Sequence, residues 1–510
     1  MRLSGTNPPA DDGVPEGRVP SRPAWELLLP AASSPVRGRG RALRSALREA
    51  VRSGRLPAGT RLPASRELAT DLGVSRGLVT EAYEQLTAEG YLRSGRGAGT
   101  WVSDAVRPPV REAARNPAPR APVALVDFRP GTPDLSLFPR AAWAAAQRAA
   151  LARLSHGSLG YPDPRGLPEL REALAALLAR RRGVVADPER LVVCSGVAQA
   201  ATLFGSVLRG RGVDAVGVED PGSPEHTSLF ASAGLRTVAL PLDGEGLVPE
   251  PLTRSGVRAL VTTPAHQFPT GIAYSAGRRG RLLAWARSTS GVILEDDYDG
   301  DFRYDRAPVG ALQGLDPEHV VYAGSVSKSL APGLRLGWLV APASMTEEIV
   351  ARKRTMDLGN PAIDQAVLAD LVRRGAYDRQ LRRCQRVYRE RRDVLTAALA
   401  EHLPGTEVSG IAAGLHIIAR LPEGLGPQEE VLRRAEAGGV AVRPLSCYGA
   451  TASAAPGGTA GTAGETGEAG APGTAGAVAD GGVTLVFGYA HLPPADILRG
   501  VRLLASAVRP

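Results

Sequence analysis

Short apolar runs alternating with helix-periodic segments dominate the chain beyond residue 125, and they restrict its fold more than any other feature. The runs are Leu191-Val192-Val193, Ala215-Val216-Gly217, Ala259-Leu260-Val261, Val292-Ile293-Leu294 and Val320-Val321-Tyr322. Each has the length of a strand, and helical segments alternate with these runs, which is the βα alternation of a mostly parallel sheet. An α/β class follows. Helical periodicity around 365–400, the apolar run at 415–418 and the segment Val483-Thr484-Leu485-Val486-Phe487 predict a smaller α+β lobe closing the chain. Interrupting that lobe, residues 451–482 are Ala/Gly/Thr-rich with little to bury and read as a disordered surface insertion. The 510 residues exceed a single core, and length alone allows about three domains. No apolar run approaches the ~20 residues that cross a bilayer, so no membrane role is expected.

The front of the chain is of a different kind. From Arg37 to Arg96 there are 12 arginines and six acidic residues, a net +6 within a chain whose formal net charge is +9. Such a block suits a polyanion, although arginine-rich composition also produces solvated basic faces with no partner. Helical spacing links Leu43, Leu47, Ala50 and Val51, then Leu68 and Leu72, then Val79, Ala82, Tyr83 and Leu86. Three amphipathic helices are predicted. Ser65 is placed to cap the second, Gly73 to end it and Ser75 to cap the third, leaving the tight Gly73-Val74 connection of a helix-turn-helix. Tyr91-Leu92-Arg93 and Thr100-Trp101-Val102 read as strands of a β-wing around Gly95-Arg96-Gly97-Ala98-Gly99.

The expected organisation is a disordered stretch at 1–20, a winged unit at 22–103, a Pro/Ala/Arg-rich linker at 104–124 and a larger domain at 125–510. Asp11, Asp12 and Glu16, with only the short apolar run Leu27-Leu28-Leu29, do not make a signal peptide. Cys194, Cys384 and Cys447 have neither disulfide-framework nor zinc-ligand spacing. A cytoplasmic setting with reduced thiols is expected, and no metal site.

Only two of the 61 basic residues are lysines, Lys328 and Lys353. A guanidinium stays protonated and cannot condense with an aldehyde, whereas a desolvated lysine amine can lose its proton and form an imine. Lys328 lies in Gly324-Ser325-Val326-Ser327-Lys328-Ser329-Leu330-Ala331-Pro332-Gly333-Leu334-Arg335. The hydroxyls of Ser325 and Ser327 and the guanidinium of Arg335 make a phosphate cradle beside it, which points to pyridoxal 5′-phosphate (PLP). Taken alone, Ser-x-Ser-Lys is equally an exposed lysine in a Ser/Gly loop.

Leu62-Pro63-Ala64-Ser65-Arg66-Glu67-Leu68-Ala69, followed by Leu72-Gly73-Val74-Ser75-Arg76, makes the front unit resemble the winged helix of the GntR superfamily of bacterial transcription regulators. The resemblance implies double-stranded DNA as partner, contacted by Arg66, by Ser75, Arg76 and Thr80 at the start of the third helix, and by Arg96 and Gly97 at the wing tip. An arginine at a helix N-terminus reaches a guanine edge, and backbone amides there engage phosphate. Gly77 and Leu78 depart from the short polar residues frequent at those positions, so base preference is not implied.

From about Asp127 onward the chain resembles a fold-type I PLP aminotransferase, and as a whole it resembles the MocR subfamily of GntR regulators. The motifs are Gly160-Tyr161-Pro162-Asp163-Pro164-Arg165-Gly166, Ser195-Gly196-Val197-Ala198-Gln199, Thr263-Pro264-Ala265-His266-Gln267-Phe268-Pro269-Thr270-Gly271 and Glu295-Asp296-Asp297-Tyr298-Asp299. The resemblance implies that Lys328 carries the cofactor and that Ser195, Gly196 and Val197 bind its phosphate. It implies that Tyr161 reaches the phosphate of a partner subunit, that Asp296 faces the pyridine nitrogen and that Tyr298 lies near the ring hydroxyl. Asp297 remains the alternative acid, since strands alternate faces and one residue of error exchanges the two. Ser223 stands where relatives stack an aromatic on the ring, with His226 as a substitute, and Val486 stands where aminotransferases clamp the substrate carboxylate with arginine. The implied function is a homodimeric regulator sensing PLP or an amine or amino-acid effector with little or no turnover. An aminotransferase with an accessory DNA-binding domain, and a scaffold that no longer holds PLP, are the rival readings.

Overall fold

The computed structural model describes residues 35–95, 99–105, 124–304, 309–449 and 482–509. The expectations for residues 1–20, for most of the linker and the insertion, and for Arg96 and Gly97 therefore lie outside the described residues. The chain divides into two compact units, Met1–Ala121 and Pro122–Pro510.

In the first unit, helices Arg39–Arg52, Ser65–Leu72 and Arg76–Ala88 pack against a three-stranded sheet in which Gly99–Val102 lies between Arg61–Leu62 and Leu92–Gly95. The periodic positions make the core: Leu43, Leu47, Leu68, Leu72, Val79, Ala82 and Leu86 are buried with Leu92 and Val102 of the wing. Gly73 closes the second helix in the left-handed region at φ 63, a conformation that a Cβ would strain. Ser75 caps the third helix by accepting a hydrogen bond from the Leu78 amide at 3.3 Å. Ser65 does not cap as expected. Ala64 occupies the cap position and Ser65 is the first helical residue, where its hydroxyl accepts instead from Arg76 Nε at 3.5 Å. The strand Arg61–Leu62 escaped the sequence reading because two residues carry no period.

The second unit is built on an eight-stranded sheet ordered Leu191–Cys194, Gly337–Val340, Val320–Ser325, Val292–Asp296, Ala259–Thr262, Ala215–Asp220, Arg236–Asp243 and Gly246–Leu247. Gly337–Val340 runs antiparallel to both neighbours, Gly246–Leu247 closes a hairpin, and the other pairings are parallel. All five predicted runs are strands of this sheet, apolar because helices cover them on both sides. The smaller lobe has a four-stranded antiparallel sheet ordered Glu407–Ser409, His416–Arg420, Thr484–Gly488 and Arg443–Pro444. The helical stretch near 365–400 is two helices, Ala362–Arg373 and Ala376–His402, separated at Gly375 with φ 66. Phe128, just after the short strand Val126–Asp127, meets Phe487 edge to face at 5.3 Å, tying the entering chain to the lobe core. Among the described residues no helix is long and apolar enough to cross a membrane.

Candidate functional site

Parallel strands end together, and the loops after them converge at the carboxyl edge of the sheet. Four such ends carry the motifs: Ser195 follows Leu191–Cys194, His266 follows Ala259–Thr262, Asp296 ends Val292–Asp296, and Lys328 follows Val320–Ser325.

Lys328 is half-buried, and its Nζ donates to the Gly131 carbonyl at 2.5 Å. Burial lowers its pKa below the ordinary 10.5, against the opposing pull of Asp296, Asp299 and Glu225. The shift favours the neutral amine that acts as a nucleophile. Lys353 cannot compete, because it is fully buried and donates to both Asp357 oxygens and to Asn360 Oδ1, each at 2.7 Å.

The two adjacent acids have different employment. Asp297 receives Arg182 in a fork, Nε to Oδ2 at 2.6 Å and a terminal nitrogen to Oδ1 at 2.9 Å, and also accepts from the Tyr322 hydroxyl at 2.6 Å. Asp296 Oδ2 lies 3.0 Å from His226 Nε2, while its buried Oδ1 has no hydrogen-bond partner among the described residues. Strand alternation separates them: Glu295 turns away, accepting from the Leu312 and Gln313 amides at 2.8 and 2.9 Å, and Asp297 shares its side. Burial, then the nearby Asp297, pushes the Glu295 carboxyl up to about 7. His226 is buried, with its Nε2 serving Asp296. Burial opposes its charge, but the Asp296 contact and the nearby acids raise its pKa above the ordinary value.

Tyr298 OH and Asp299 Oδ2 both approach His266 Nδ1, at 3.0 and 2.8 Å. Burial, reinforced by Asp299, raises the Tyr298 pKa well above 10, so the phenol keeps its proton. Phe268 packs edge to face on Tyr298 at 5.8 Å.

At the next strand end, Gly196 has φ 88 and precedes the helix Val197–Gly210. A Cβ there would lie 3.2 Å from the Arg335 guanidinium, so the bare backbone lets Arg335 reach over the turn. Arg335 itself holds φ 51 and donates to the Ser195 carbonyl. Ser325 and Ser327 are half-buried, with the Ser327 amide donating to Ser325 Oγ at 3.3 Å. Two polar residues brace the turn: Gln199 accepts from the Ser195 amide at 2.8 Å and Asn360 donates to Ser195 Oγ at 3.0 Å. Tyr161, by contrast, is 91% exposed. Ser223 begins a helix and donates to Glu225 at 2.8 Å. Val486 is fully buried in its strand.

These residues fit PLP: an unpartnered buried carboxylate oxygen for a protonated ring nitrogen, a lysine of lowered pKa for the aldehyde, and a helix N-terminus with an arginine for the phosphate. Sequence reasoning missed Arg182 and Asn360, which lie outside the motifs, and Tyr322, which lies two residues before the lysine motif; none carries a local signature.

In the first unit, Arg66 is exposed on the second helix, and Ser75 and Arg76 are exposed where the third begins. Thr80, one turn past Arg76, is half-buried. Replacing Arg66 or Arg76 by Ala is expected to weaken binding to a specific site by about 1–3 kcal/mol if the side chain reads a base edge. Fluorescence anisotropy against operator and scrambled duplexes checks this; unchanged affinity in both variants removes the assignment.

Fold and site define a class: a helix-turn-helix DNA-binding unit joined in one chain to an aminotransferase-like domain of the PLP-dependent type. The family model for bacterial regulatory proteins of the gntR family matches residues 40–102, and that for aminotransferase class I and II matches residues 125–457. The chain is 36% identical over 407 residues to the HTH-type pyridoxine biosynthesis transcriptional regulator PdxR of Corynebacterium glutamicum, spanning 79% of this chain and 87% of that protein. It is also 36% identical over 432 residues to the probable rhizopine catabolism regulatory protein MocR of Rhizobium meliloti, spanning 80% and 86% respectively. A solved structure of the α-aminoadipate aminotransferase LysN from Thermus thermophilus, complexed with N-(5′-phosphopyridoxyl)-L-leucine, matches with a TM-score of 0.61 at 28% identity over 75% of this chain and 92% of that one. The chain belongs to the MocR-type transcription regulators of the GntR family, in which a DNA-binding helix-turn-helix is fused to a class I and II aminotransferase domain.

Proposed function

We propose that the protein is a cytoplasmic, homodimeric regulator that senses PLP itself, or an amine or amino acid that meets PLP at Lys328, and alters operator binding in response. The observation that carries this reading is the pairing, on one chain with a DNA-binding unit, of a lysine of lowered pKa with a buried carboxylate oxygen that has no hydrogen-bond partner among the described residues. When bound, PLP supplies an aldehyde for covalent capture and a ring that withdraws electrons. Lys328 would hold it, Asp296 Oδ1 would accept from the ring nitrogen, and Tyr298, backed by His266, would serve the ring hydroxyl. Ser195, Gly196, Val197, Ser325, Ser327 and Arg335 would take the phosphate. Support for a homodimer comes from Leu159, Tyr161 and Leu358, large apolar side chains that are 57%, 91% and 51% exposed; a Cβ placed on Gly359, next to Leu358, would lie 2.8 Å from Pro162, next to Tyr161, so the two segments run close together. Residues 22–103 make the DNA-binding domain in this reading and 125–510 the sensor, with 104–124 as linker.

Sensing rather than turnover is supported by Val486, which pairs across strands with Ile418 and Arg443 and offers no charge. An arginine there would hold a carboxylate bidentately, and loss of such positioning removes orders of magnitude in rate. The test measures operator affinity and cofactor absorbance together as PLP and then α-amino acids are added. A change in DNA binding is expected, with conversion of PLP to the pyridoxamine form slow or undetectable. Conversion within seconds overturns the sensor reading in favour of an aminotransferase, with Arg443 as the carboxylate ligand.

A further inference from the structure

The sequence spends arginine wherever a plain cation serves, and Lys353 is one of two exceptions. Its surroundings account for it. The helix Ala343–Asp357 ends with Leu358 at φ 61 and Gly359 at φ 117, a reversal that brings Asn360 back beside Asp357. The ammonium finds three acceptors there, Asp357 Oδ1, Asp357 Oδ2 and Asn360 Oδ1, each at 2.7 Å. Three protons meet three oxygens in a fully buried position, which a compact point charge fills and a planar five-donor guanidinium does not.

Both acceptor residues pass the connection on to the same amino acid. Asp357 Oδ2 accepts from Gln199 Nε2 at 2.8 Å, and Gln199 Oε1 accepts from the Ser195 amide at 2.8 Å. Asn360 Nδ2 donates to Ser195 Oγ at 3.0 Å. Ser195 is thus held through its backbone and its side chain by two arms that meet at one buried cation. Fixing Asp357 also fixes which way the Gln199 amide faces, because its Nε2 must point to the carboxylate and its Oε1 to Ser195.

We propose that Lys353 is a positioning residue for phosphate recognition: it touches no ligand, but through the Asp357–Gln199 and Asn360 arms it sets the conformation of the Ser195-Gly196-Val197 turn. The inference rests on the reading of that turn as the cradle of the PLP phosphate. It predicts a selective effect, because Lys328 and Asp296 lie on other strand ends and do not depend on these arms.

The experiment measures Kd for PLP and for pyridoxal, which lacks the phosphate, by absorbance titration of the full-length protein. Lys353→Met is expected to weaken PLP about tenfold or more, the scale of a lost charge-assisted hydrogen bond, while pyridoxal changes less than about twofold. Gln199→Ala removes one arm without disturbing the buried charge. It is expected to produce the same selective loss at about threefold, and it decides the matter should Lys353→Met fail to fold. Equal losses for both ligands, or an unchanged preference for PLP in the variants, overturns the role of Lys353 alone. A wild-type protein with no preference for PLP over pyridoxal overturns the cradle reading and this inference with it.

Discussion

Replacing Lys328 with alanine is expected to abolish covalent attachment of PLP completely. Attachment needs an unprotonated amine at the aldehyde, and the chain contains only one other lysine. Lys353 is fully buried with its three protons committed to Asp357 and Asn360. Borohydride reduction of wild-type protein with PLP, followed by peptide mapping, should place the label on Lys328. The variant should carry no label, lose the absorbance of the attached cofactor, and keep cofactor-free affinity for DNA. Label on Lys353, or an unlabelled wild type, is the result that refutes it.

The second large effect separates the neighbouring acids. Asp297→Asn leaves Arg182 buried without its counter-charge; the two side chains are each 3% exposed and bonded at 2.6 Å. Removing one member of a buried pair costs about 3–5 kcal/mol, so this variant should unfold at markedly lower denaturant. Asp296→Asn should behave oppositely. Its Oδ1 has no hydrogen-bond partner among the described residues and the His226 contact is what is at stake, so the fold should be little affected. The loss should fall on PLP affinity and on the absorbance of the bound ring. Denaturant melts and PLP titrations of both variants make the comparison. A stability loss larger for Asp296→Asn than for Asp297→Asn would reverse the assignment.

Much of this was legible before any coordinates. Gly73 and Ser75 announce a helix-turn-helix because cap and turn chemistry act over three or four residues, and all five apolar runs became strands because burial on both faces leaves a mark that no exposed segment carries. Ser65 illustrates the limit of such signals: a residue suited to capping sits one position inside the helix, where Arg76 uses it. Arg61–Leu62 is too short for any period to declare it.

The order of the motifs and the restriction of imine chemistry to two candidate lysines were determined by the sequence itself, since an imine requires an amine and the chain offers two. Which lysine is locked among buried acceptors, which acid keeps an oxygen without a partner among the described residues and what braces the Ser195 turn were decided by tertiary structure. Asp296 and Asp297 are identical in composition and adjacent in sequence. They part only because a strand turns successive side chains to opposite faces, and because Arg182, 115 positions away, lies against one of those faces. Lys353 shows both levels: its acceptors Asp357 and Asn360 stand four and seven positions along the chain, but their onward links to Gln199 and Ser195 join distant segments. Side-chain roles of this kind are set by charges and hydrogen bonds between distant segments, and these come into being only when the sheet brings its strand ends together.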